Sequence, residues 1–116
     1  MSVMRAPRSS APRSAAAAIL LRSLMARTGL DRARISVSRC HSVDWQSLTF
    51  VGERHEISLA VTGPDPAAAM ALLRDGLADA EWELNGHVVA DIVITAETRA
   101  GDGSILVNLE ALTLSD

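Results

Sequence analysis

At 116 residues, with 48% apolar and 22% charged side chains, the chain can bury one core but not two, and its composition excludes a disordered polymer. The net charge of −3 hides an asymmetry: residues 1–34 carry seven Arg against Asp31 alone, whereas residues 35–116 carry four Arg against thirteen acids. Phosphate backbones are bound by clustered cations, so an acidic body without a single Lys is expected to bind no nucleic acid.

Residues 1–13 contain Pro7, Pro12, Arg5, Arg8 and Arg13 with no periodic apolar positions, and are expected to form a solvated arm preceding a single domain over 14–116. Ser14 then offers an N-cap hydroxyl, and Ile19, Leu20, Leu24 and Met25 form a helical stripe that stops at Gly29. The apolar stretch Ala15 to Leu21 is cut by Arg22, too short to span a bilayer, so no membrane contact is expected and the cytoplasm is the expected compartment. The alternative is an organelle matrix, if the Arg- and Ser-rich, acid-poor first thirty residues are a targeting segment.

Ile35 and Val37 alternate with Ser36 and Ser38, the two-residue period of a half-buried strand. Leu48 and Phe50 fall on the opposite parity from Val43 and Trp45, which predicts a bulge or break between Cys40 and Ser47. Ser47 to Val51 then reads as a strand turning through Gly52-Glu53-Arg54 into Ile57, Leu59 and Val61. Asp65 followed by Pro66 predicts a helix start, and Met70, Leu73 and Leu77 predict its buried stripe. Gly76 inside that helix costs about 1 kcal/mol relative to Ala, which packing must offset. The helix is expected to end near Asp79, followed by a short extended piece to Leu84 and a tight turn at Asn85-Gly86.

His87 to Glu97 is the densest β-branched run, and Ala100-Gly101-Asp102-Gly103 predicts a hairpin loop before a last strand over 104–114. Taken as straight strands, Val88, Ala90, Ile92 and Ile94 share one face and face Ile105, Val107, Leu109 and Ala111. The other face then holds Val89, Val93, Leu106, Leu112 and Leu114, although a sheet covered on one side should be polar on the other. Val89, Val93, Leu106 and Leu112 are therefore candidate interface residues, and a homodimer through the sheet is the expected partner arrangement.

These elements predict an α+β fold, a two-layer sandwich in αββαββ order with a four-stranded, mainly antiparallel sheet and two helices on one face. The layout resembles ferredoxin-like and related two-layer sandwiches, and no residue motif assigns a family. The topology places the turn at Gly52–His55 and the turn at Asn85–His87 at one end of the sheet. Arg54, His55 and His87 are then candidate ligand-binding residues, with Glu53 or Glu56 nearby, and Asp91 joins His87's face if that strand is straight. An Arg beside two His suits a small anionic ligand.

No cofactor motif, phosphate loop or nucleophile elbow is present. His41, His55, His87, Asp44 and Asp91 are zinc or iron ligand types without ligand spacing, so no metal is expected. The single Cys40 excludes an internal disulfide and is expected to be a buried thiol. The sequence thus points first to a non-enzymatic, self-associating interaction or structural module, and second to a small-molecule (anion) or metal-binding protein that could be a minor enzyme; enzymatic activity is undecided and leans to none.

Overall fold

The structure, a computed structural model, describes residues 14–78, 83–84 and 86–115; the expected arm over 1–13, the end of the second helix near Asp79, Trp82 and Asn85 lie outside them. The elements run α1 (Ala15–Thr28), a one-turn 3-10 helix (Arg32–Arg34), β1 (Ile35–Gln46), β2 (Val51–Val61), α2 (Pro66–Ala78), β3 (Glu83–Leu84), β4 (His87–Arg99) and β5 (Ile105–Ser115). Every described strand pairing is antiparallel, in the order β1-β2-β5-β4-β3. Four long strands and two helices give the expected α+β sandwich in αββαββ order, with β3 as a two-residue addition at one edge.

The helix ends follow local chemistry. Ser14 Oγ accepts the Ala17 N–H at 3.1 Å, and Gly29, at φ 70°, closes α1 in the left-handed conformation that costs a residue without a Cβ little. Asp65 Oδ1 accepts the Ala68 N–H at 3.2 Å and starts α2 ahead of Pro66.

One face of the sheet carries the core. Leu20 and Leu24 of α1 and Ala69, Met70, Leu73 and Leu77 of α2 pack against Ile57, Leu59, Val61, Val107, Leu109 and Ala111. Gly76 explains itself here: a Cβ at that position would stand 3.1 Å from Thr28 Cγ2, so the glycine lets α2 lie close against α1. Thr28 cannot turn aside freely, because its hydroxyl donates to Met25 O and accepts from Leu30 N–H.

Three sequence expectations need correction. The first hairpin turns at Ser47–Phe50, where Ser47 Oγ accepts the Phe50 N–H at 3.1 Å and Ser47 N–H donates to Phe50 O; Gly52, Glu53 and Arg54 already belong to β2. Gly52 is required for a different reason: a Cβ there would lie 2.0 Å from the Thr113 carbonyl oxygen of the adjacent strand. The irregularity in β1 falls between Val37 and Arg39, with no shift from Cys40 to Gln46. Cys40 therefore joins Ile35 and Val37 on the core side, half-buried, and burial pushes its thiol pKa up.

Finally, β4 is not straight. Register shifts between Val89 and Asp91 and between Ile94 and Ala96 leave Ala90 and Thr95 as extra residues. Val89, opposite Thr113, thus shares the core face with Ile92, opposite Ala111, and is only 3% exposed. Val89 is a core residue and drops out of the candidate interface.

Candidate functional site

The starts of β2 and β4 do lie at one end of the sheet, because Gly52 and Val88 both pair with Leu114. The faces differ from expectation. Antiparallel partners point to the same side, so the register sorts every candidate. His55 sits opposite Ala111 and Ser42 on the helix side, and His87, opposite Ser115, lies on that side too. Arg54 and Asp91 both sit opposite Leu112 on the outer face. Asp91 is separated from His87 by the irregularity at Ala90, so the expected convergence of Arg54, His55, His87 and Asp91 divides between two faces.

His55 is 0% exposed. Its Nδ1 is 2.7 Å from Ser42 Oγ on β1, and its Nε2 is 2.8 Å from Thr113 Oγ1 on β5. A neutral imidazole has one donor and one acceptor nitrogen, and each hydroxyl can take the complementary role. Burial pushes His55 below the ordinary imidazole pKa of 6.5; the Glu53 carboxylate pulls the other way, and His87 adds to the lowering. Beside it on β2, Glu53 Oε1 accepts the Ser14 hydroxyl at 2.7 Å, tying the capped start of α1 to the sheet.

This arrangement bridges β1, β2, β5 and α1, and it leaves both His55 nitrogens occupied by hydroxyls in the interior. Chemically it is a structural pin. Among the described residues, no group of three or more His, Cys, Asp or Glu side chains is placed to hold a metal ion. Sequence reasoning missed Ser42, Thr113 and Ser14 as partners. Thr113 was legible as the next step of the Ile105, Val107, Leu109, Ala111 alternation, whereas Ser42 reaches His55 only once the extra residue of β1 is placed at Ser38.

Among the described residues no helix covers the outer face, and the face is mixed. Its middle is polar: Arg39 lies 3.6 Å from Glu56, Ser58 Oγ donates to Asn108 Oδ1 at 2.8 Å, and Glu110 stands directly opposite Glu56 around a depression of about 220 Å³. Around that strip apolar side chains share the face with exposed Arg54 and Asp91, which flank Leu112, and with His41 opposite Glu56. Val93 and Leu106 are each 45% exposed, as the sequence expected of outward residues, and Leu112, Leu114, Val88 and Trp45 are half-buried. The adjoining hairpin tip holds Leu48, at 104% exposed, together with exposed Phe50 and Val51. Among the described residues no helix is long and apolar enough to cross a membrane.

No family model matches the chain, and no curated protein matches it. A chain in the structure of the virion of a native gene transfer agent (GTA) particle is similar in fold. It is 14% identical with a TM-score of 0.59, over 87% of this chain and 98% of that one. That likeness extends the fold assignment to nearly the whole length of the virion chain.

Proposed function

We propose that this protein is a structural subunit that associates with copies of itself through the outer face of its sheet, as a building block of a protein assembly. The carrying observation is the helix-free face, where Val93 and Leu106 are exposed beside half-buried Leu112 and Leu114. Four strands about 4.8 Å apart and some eleven residues long, at about 3.3 Å per residue, offer on the order of 700 Å². That is close to the roughly 800 Å² each partner contributes to an ordinary stable interface. The likeness in fold to a chain of a virion, itself a particle built of proteins, supports the same reading. The cytoplasm remains the proposed compartment.

The alternative, an anion or metal site at Arg54, His55, His87 and Asp91, has less support because those residues divide between the two faces and His55 is enclosed. Light scattering after size exclusion tests the proposal: the wild type should run at a multiple of 12.3 kDa, and Val93→Asp or Leu106→Asp should lower that mass. A wild type that runs as a monomer refutes it, as do face variants that leave an oligomer unchanged.

A further inference from the structure

We infer that β1 is a second self-association element, which pairs edge to edge with β1 of another copy and continues the sheet across the contact. The two described edges of the sheet are unlike. One is β3, two residues long, continued past Val88 by β4, whose irregularities at Ala90 and Thr95 break that edge into short pieces; the other is β1, twelve residues long. Every second residue of an edge strand turns its N–H and C=O away from its only neighbour, and proteins blunt such edges with Pro, Lys, bulges or shortness. β1 has no Pro and no Lys, and its single irregularity lies near its start, between Val37 and Arg39.

The regular stretch limits the registers open to a second copy, and its side chains choose among them. Uninterrupted pairing geometry runs from Arg39, just after the irregularity, to the turn that follows Gln46. A two-fold axis at Ser42 pairs the seven residues Arg39 to Trp45 with themselves, all of the regular segment but Gln46. In that register Arg39 faces the partner's Trp45, His41 faces Val43, and Cys40 faces Asp44. No like charges meet, and a guanidinium lies over an indole, a favourable cation–π arrangement. The pairing also covers Val43, which is exposed in the single chain. A strand carrying one cation and one acid, neither opposite its own copy, is complementary to itself.

This contact is separate from the outer-face contact, so it is tested where that one has been removed. In a Val93→Asp, Cys40→Ser background, His41→Cys and Val43→Cys single variants are prepared, mixed and oxidised. The register predicts disulfide-linked dimers in the mixture, at least tenfold more than from either variant alone, because residue 41 meets residue 43 of the other copy. Identical positions stand two residues out of register, beyond the roughly 7 Å limit for bridging. Leu106→Asp serves in place of Val93→Asp if the latter does not fold.

Absence of the mixed dimer, or equal yields from each variant alone, overturns the edge pairing. If Val93→Asp lowers the mass but no mixed disulfide forms, the edge inference fails and the face proposal stands. Mixed disulfides together with an unchanged Val93→Asp mass support the edge and refute the face.

Discussion

Replacing His55 with Ala removes a fully buried ring held between Ser42 and Thr113, and the cost can be built from two parts. Deleting buried side-chain volume that the surroundings do not refill costs about 2 kcal/mol at the low end of core truncations. The Thr113 hydroxyl, itself 0% exposed, loses its partner and cannot reach water, which adds about 1–3 kcal/mol. Ser42 is half-buried and adds less. The expected loss is about 3–5 kcal/mol, a large share of the 5–15 kcal/mol of a typical domain. Urea unfolding followed by far-ultraviolet circular dichroism, at one fixed protein concentration because association stabilises the folded state, measures it. The double variant His55→Ala, Thr113→Val should cost less than the sum of the two singles, since the orphaned hydroxyl is gone. A loss below about 1 kcal/mol, or strict additivity, would refute the pin.

The same residue sets a pH dependence. Because burial lowers the folded-state pKa of His55, the unfolded chain takes up a proton first as the pH drops below about 6.5, and stability falls until folded His55 titrates. The contribution is at most about 1.4 kcal/mol per pH unit, and it should vanish in His55→Gln; equal pH 7 to pH 5 losses in both proteins would contradict it. Gly52→Ala, with its Cβ driven against the Thr113 carbonyl, should destabilise by about 1–3 kcal/mol and loosen β2–β5 pairing, seen as faster amide exchange in both strands. Gly76→Ala should fail to deliver the roughly 1 kcal/mol that helix propensity promises, because Thr28 stands in the way. A full gain in urea midpoint would show that α1 yields to the added methyl.

What the sequence disclosed and what it hid divide along physical lines. Both helix starts were legible because they depend on residues within one turn: Ser14 and Asp65 as caps. So was β5, whose Ile105, Val107, Leu109 and Ala111 alternate without interruption. The extra residues of β1 and β4 were not, since an inserted residue leaves no mark on composition yet moves every later side chain to the other face. That single effect took Val89 into the core, put Asp91 opposite His87's face and brought Ser42 to His55. Gly52 misled because glycine marks both turns and close backbone approach; the actual turn was closed by the Ser47 hydroxyl instead. Val93, Leu106 and Leu112 keep the outward placement expected of them, opposite Glu110, Ala60 and Arg54.

Sedimentation velocity of the wild type and of Val93→Asp, each over a dilution series, tests self-association through the helix-free face most directly. The wild type is predicted to sediment as a multiple of 12.3 kDa that dissociates on dilution, and Val93→Asp as a smaller species at every concentration where the wild type is associated. A wild type that sediments at 12.3 kDa throughout, or a variant that matches an oligomeric wild type, would contradict it.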